Sequence, residues 1–119
     1  MSDAFSSAIS GISSNSTRAA VAANNIANAN TPGFKASRVT VEYSAPGRQE
    51  THITKSTEPG FLLPRPDGLP ESSELEETSN VDLAEEFVHL QISEHGYSAS
   101  AAVIRTQGEM LGTVLNMLA

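Results

Sequence analysis

From Leu83, alternate steps of four and three residues pass through Leu83, Phe87, Leu90, Glu94, Tyr97, Ala101, Ile104, Gly108, Leu111, Leu115 and Leu118. Nine of these eleven positions are apolar. A seam that repeats every 3.5 residues stays on one side of a helix only when a second helix supercoils against it. The stretch therefore predicts a helix over residues 83–118 and requires a partner for it. At 1.5 Å per residue that helix is roughly 50 Å long, more than a compact domain of this size needs. Asp82, with Glu85 three residues later, reads as a capping box, and both carboxylates suit the positive end of the helix dipole.

The partner is at the other end of the chain. The same step from Phe5 gives Phe5, Ile9, Ile12, Ser16, Ala19, Ala23 and Ile26, on a helix that Ser2 or Asp3 can cap. Ala19, Ala20, Ala22, Ala23 and Ala27 make it thin enough for another backbone to approach closely. Its Ser and Asn residues are mediocre helix formers, so neighbours must stabilise it. Pro32 disfavours helical geometry at Thr31, and Pro32-Gly33 fits the centre of a type II turn, so the helix is expected to stop near Asn30.

All six prolines and four of the eight glycines lie in residues 31–79. There, residues 35–43 alternate Val39, Val41 and Tyr43 inward with Arg38, Thr40 and Glu42 outward, as a half-buried strand does, and residues 51–55 can pair with it. Pro59-Gly60 and Pro64-Arg65-Pro66-Asp67-Gly68 mark turns, and residues 71–77, with four carboxylates and one apolar residue, read as a solvated loop. The expected fold is mainly α: long N- and C-terminal helices pair as a coiled coil around a small β-hairpin and loop insertion. Segments 1–30, 31–79 and 80–119 form one structural unit. With 119 residues, no Cys, no Trp and 5% aromatics, a large core is out of reach, and stability must come partly from association. Gly96, Gly108 and Gly112 each cost about 1 kcal/mol relative to Ala inside a helix, which makes a bend near Gly96 conceivable.

The chemistry the chain lacks is as informative. Its net charge is -7 and no basic residue lies between Pro66 and Ile104, which argues against nucleic acid. It has no transmembrane run, and its start has neither the basic nor the apolar region of a secretory signal peptide. Glu86-x-x-His89 has the spacing of half a carboxylate-bridged di-metal site, but the second copy is missing. His52, His89 and His95 do not form a ligand set. No Gly-x-Ser-x-Gly elbow and no Gly-rich phosphate loop occurs. Met110 and Met117, with Val103 and Val114, form a second stripe suited to packing. No catalytic, cofactor-binding or metal-binding residue is expected.

Asn24, Asn25, Asn28 and Asn30 place four amides within seven residues at a helix end. They read either as a frayed terminus or as an amide-lined contact to neighbouring subunits. The run Ala23-Asn24-Asn25-Ile26-Ala27-Asn28-Ala29-Asn30-Thr31-Pro32-Gly33-Phe34-Lys35 resembles the N-terminal signature of the bacterial flagellar rod and hook protein family. Ser79-Asn80-Val81-Asp82-Leu83-Ala84-Glu85-Glu86-Phe87-Val88, with Glu109-Met110-Leu111-Gly112-Thr113, resembles that family's closing helix. Asn24, Asn25, Asn28, Thr31, Pro32, Gly33 and Phe34 match the first motif; Asn80, Val81, Asp82, Glu85, Glu86 and Tyr97 match the second.

The resemblance implies a structural subunit of the basal-body rod that spans the periplasm. Such a subunit is exported unfolded by the flagellar export apparatus without a cleaved signal peptide, and its terminal helices order on assembly. Its partners would be copies of itself and other rod and hook proteins, with no nucleic acid and no membrane insertion. The expected interface comprises Phe5, Ile9, Ile12, Ala19, Ala23, Asn24, Asn25, Ile26, Asn28, Leu83, Phe87, Leu90, Tyr97, Ala101, Ile104, Leu111, Leu115 and Leu118, with the turn Thr31, Pro32, Gly33 and Phe34. The 49 residues from Thr31 to Ser79 cannot hold the large β-rich domain of the hook members, so the length resembles the short proximal-rod proteins, whereas the run from Ser79 to Val88 looks more like the distal-rod and hook members, and both rod positions stay open. The alternative is an autonomous helical module that docks a partner through its acidic residues 71–77.

Overall fold

The computed structural model describes residues 2–45, 48–65 and 75–119. Helix α1 runs from Ser2–Ala27 and helix α2 from Leu83–Leu118. Strands β1 (Ser37–Ala45) and β2 (Arg48–Lys55) form one antiparallel pair; β3 (Leu62–Pro64) and β4 (Leu75–Glu77) form another. The molecule is a rod of 84 × 23 × 15 Å with a radius of gyration of 21.4 Å, against about 14 Å for a compact chain of this length. Its 8442 Å² of accessible surface compares with roughly 6,200 Å² for a compact protein of this mass.

Asp82 caps α2, its carboxylate accepting from the Ala84 and Glu85 backbone N–H groups at 2.9 and 3.3 Å. The reciprocal half of the expected capping box is absent, because the Glu85 carboxylate turns instead to Arg38 and His89. The helix is unbroken through Gly96. Helix α1 ends at Ala27, three residues before the expected stop, and Asn28 to Asn30 form turns. The Pro32-Gly33 turn forms as expected: the Phe34 N–H donates to the Thr31 carbonyl at 3.2 Å, and Gly33 has φ 70°, the left-handed geometry that glycine adopts without strain.

The first hairpin pairs Val39 with Ile53 and Val41 with Thr51. Val39 and Val41 are half-buried, but Tyr43, expected inward, points outward with 78% of its surface exposed. Arg38, expected outward, reaches α2 instead. The acidic run is only partly loop. Residues 71–74, like the second half of the Pro64 to Gly68 turn, lie outside the described residues, whereas Leu75–Glu77 is strand β4. There the Lys35 ammonium and the Gly60 N–H both donate to the Glu77 carboxylate.

Candidate assembly interface

Helices α1 and α2 pair, but not through the seams of large apolar residues. The buried side chains are Ala8, Ser14, Ala22 and Asn25 on α1 and Glu86 and Ser93 on α2, with Asn25 and Glu86 also meeting β1. At Gly11 an added Cβ would lie 2.7 Å from the Ser100 hydroxyl, and at Gly96 one would lie 2.7 Å from the Asn15 amide. These two crossings fix an antiparallel pairing and a closeness of backbones that only small residues allow. The contact line therefore runs one residue behind the expected seams, a turn of about 100° around each helix.

Packing favours this arrangement for two reasons. Small faces let the helix backbones approach closely, and the hydroxyls of Ser93 and Ser100 and the amide of Asn15 are satisfied within their own helices, by carbonyls four residues back. Ser93 and Ser100 donate to the carbonyls of His89 and Gly96, and Asn15 donates to that of Gly11, at 2.7 to 2.9 Å. No buried side-chain nitrogen or oxygen among the described residues lacks a partner. A pattern for this line was present in the sequence: Glu86, Ser93, Ser100 and Gln107 recur every seven residues, as do Gly11, Arg18 and Asn25. Hydrophobicity alone does not pick them out.

Because the chain is antiparallel, the displaced seams turn toward the same side of the pair. Phe5, Ile9, Leu83, Phe87 and Tyr97 are exposed there, between 42% and 59% of their surface. Ile12, Ala19, Ile26, Leu90, Ala101 and Ile104 sit half-buried at the edge of the helix contact, and Ala23 and Asn24 are exposed. Ser16 and Ala19 on α1 and Phe87, Leu90 and Tyr97 on α2 wall an open groove of about 730 Å³. Leu111, Leu115 and Leu118 are exposed near the end of α2. The opposite flank carries a second apolar line of Val88, Ile92, Val103 and Met110, each about half exposed. Beside it lies a cleft of about 210 Å³ lined by Arg18, Arg38, Glu86 and His89 among others.

The amide cluster divides. Asn25 is wholly buried: its carboxamide accepts from the Ser37 N–H at 2.9 Å and donates to the Ser37 carbonyl at 2.8 Å. It acts as a one-residue strand that ties α1 to β1. Asn28 is half-buried, donates to the Asn24 carbonyl and accepts from the Thr31 hydroxyl. Thr31, Pro32 and Gly33 are exposed and Phe34 half-buried. Asn80, outside the expected cluster, clamps the same junction from the α2 side. It accepts from the Ala36 N–H at 2.7 Å and donates to the Glu58 carbonyl at 2.9 Å.

Arg38 then joins the hairpin to α2, its guanidinium bonding the carboxylate of Glu86, which is 1% exposed, and that of Glu85 at 2.8 Å. Partial burial pulls the Arg38 pKa down, but the hydrogen bond and charge of Glu86, helped by Glu85, outweigh it and hold the guanidinium above its ordinary value. Sequence spacing gave no sign of this pair, because its members are 48 residues apart. Glu86 is thereby committed to Arg38 rather than aligned with His89 as metal ligands. No group of three or more His, Cys, Asp or Glu that could hold a metal ion occurs among the described residues. No helix among them is long and apolar enough to cross a membrane.

Residues 5–35 match the family model of the flagella basal body rod protein, and residues 72–117 match that of the flagellar basal body rod FlgEFG protein C-terminal region. Together the two matches cover 77 of the 119 residues. The chain belongs to the flagellar basal-body rod family. Comparison with individual curated proteins gives no match. These families are structural rod proteins, not enzymes. In this rod-family chain the first match contains Asn25 and the Pro32-Gly33 turn, and the second contains Asn80, Glu86 and nearly all of α2. The two matched ends meet on Ala36 and Ser37, which lie just past the first match.

Proposed function

We propose that this chain is a structural subunit of the flagellar basal-body rod that assembles helically through its terminal helices, with copies of itself and with other rod and hook proteins. It is exported unfolded through the flagellar export apparatus without a cleaved signal peptide and functions in the part of the axis that crosses the periplasm. The observation that carries this reading is where the apolar surface lies. The only buried apolar side chains among the described residues are Ala8, Ala22 and Ala36, while Phe5, Ile9, Phe87, Ile92 and Tyr97 face outward on two flanks of the helix pair. Covering the exposed half of such side chains contributes about 1 kcal/mol each, which a lone chain forgoes and a tube of subunits recovers. The seams thus serve coiled-coil-like packing between neighbouring copies, and two apolar flanks on one subunit give the heterologous, non-closing contacts that build a tube.

The test is sedimentation of the full-length chain over a wide concentration range, with far-ultraviolet circular dichroism on the same samples. Helicity and particle size are expected to rise together. Replacing Phe87 and Tyr97 with Asp leaves the small-residue helix contact untouched and is expected to abolish the large particles. Particles of unchanged size from that double variant would refute the reading.

A further inference from the structure

We propose that the groove between Ala19 and Phe87 receives residues 110–118 of a second copy of this chain. The inference rests on the assembly reading above and specifies its contact.

The helix register leaves this segment without a partner of its own. Gly11 lies across from Ser100 and Asn15 from Gly96, so Ser2, where α1 begins, comes level with Glu109. Residues 110–118 of α2 then extend beyond α1, and each of them is exposed. Met110, Leu111, Val114, Leu115, Met117 and Leu118 supply six apolar side chains in nine residues that carry no charge. The segment cannot fill its own groove. It continues the same unbroken helix that walls the groove, and Leu111 stands about 21 Å beyond Tyr97 along the axis.

Length and charge fit. The groove runs along α2 from Phe87 to Tyr97, about 15 Å, and the extension from Met110 to Leu118 is about 12 Å. Copies of a chain with net charge -7 repel one another, so contact is cheapest where carboxylates are scarce. Glu94 is the only charged residue lining the groove, and the extension has none. Its Leu111, Leu115 and Leu118 repeat the four-three spacing of the wall residues Leu90, Glu94 and Tyr97, as ridges that interdigitate require. Each copy offers one groove and donates one extension, two different patches, so the contact adds further copies wherever its rotation does not close on itself.

Two altered chains test it. A chain ending at Glu109 keeps the groove and loses the extension; an Ala19→Arg chain keeps the extension and fills the groove, and Ser16→Arg serves the same purpose from an exposed position. Each alone is expected to sediment as a monomer at every concentration. An equimolar mixture of the truncated and groove-filled chains is expected to form a 1:1 dimer of twice the mass and to stop there. Large particles from the truncated chain alone would overturn the proposal. So would a mixture that stays monomeric while the unaltered chain still assembles, an outcome that leaves the rod-subunit reading standing. An unaltered chain that stays monomeric at every concentration would overturn both.

Discussion

Replacing Asn25 with Ala probes the junction most directly. The Ser56 N–H donates to the Ala36 carbonyl at 2.8 Å. By the alternation of an antiparallel ladder, the N–H and C=O of Ser37 therefore point away from β2. Asn25, wholly buried, is the partner of the N–H and the nearer partner of the carbonyl, which the Arg38 guanidinium also reaches at 3.5 Å. Ala leaves the donor unpaired and the acceptor with that one long bond, and an unpaired buried group costs about 1–3 kcal/mol if water stays out. Ser37 is itself half-buried and water regains part of the site, so the expected loss is about 2–4 kcal/mol. That lowers the thermal midpoint by roughly 8–16 °C in a chain of this length, and it should accelerate hydrogen exchange at the Ser37 amide more than at amides in the middle of α2. An Asn25→Asp chain separates shape from hydrogen bonding. The carboxylate can accept from the Ser37 N–H but repels its carbonyl, so this variant should gain stability relative to Asn25→Ala as the pH falls and the acid becomes a donor. A loss below about 1 kcal/mol for Asn25→Ala, with Ser37 exchange unchanged, would refute the clamp.

Three further outcomes follow from the same geometry. Glu86→Ala strands a partly buried guanidinium that keeps only Glu85, and is expected to cost about 1–3 kcal/mol in denaturant unfolding, whereas Glu85→Ala, at an exposed pair, should cost less than about 1 kcal/mol; equal losses would show that the burial of Glu86 does not matter. Gly108 has nothing within 4 Å of an added Cβ, while at Gly96 that atom meets the Asn15 amide at 2.7 Å and displaces it from the Gly11 carbonyl. Gly108→Ala should therefore raise helix stability by up to about 1 kcal/mol and Gly96→Ala should lower it, as measured by thermal melts followed at 222 nm. The hydrogen bond from Lys35 and that from the Gly60 N–H hold the Glu77 carboxyl below the ordinary carboxylate range. A group depressed in the folded state stabilises it at higher pH, and that contribution is lost as the pH falls through the folded value. Exchange at the Gly60 amide, corrected for intrinsic rates, should accelerate as the pH drops below that range, and Glu77→Gln should remove the pH dependence.

What could be read from the residues, and what could not, follows the range of each signal. Both helices, the Asp82 cap and the Pro32-Gly33 turn depend on neighbours within four residues, and these were legible, as was the first hairpin from its alternation. The face on which the helices meet was not. A hydrophobic seam says which residues avoid water; it does not say whether the first partner to cover them belongs to the same chain. Here closer backbone approach, at Gly11 and Gly96, selects the small-residue faces within the chain. The junction was illegible for another reason. Asn25 to Ser37, Asn80 to Ala36 and Arg38 to Glu86 are pairings of single polar groups across 12 to 48 residues, and no local pattern announces them. Asn25 did stand out in an amide cluster, but composition could not say whether its amide turned inward or toward a neighbour.

The separation of the two kinds of surface has a mechanical consequence. A helix pair joined through its largest apolar residues would be stable alone and would have little left to offer a neighbour. This chain joins its helices through Ala, Gly and Ser, where the approach is close but the area of apolar surface removed from water is small, and leaves the residues with most to gain on the outside. Monomer stability is thereby kept low, since Phe87 and Tyr97 contribute little to it while they face water. The polar clamps at Asn25, Asn80 and Arg38 supply geometry where they supply little net energy: hydrogen bonds exchanged with water contribute about 1 kcal/mol each, but they hold the α1, β1 and α2 junction in one arrangement. The angle between the helices and the hairpin is thereby set by polar groups within the chain, and the apolar flanks take no part in it.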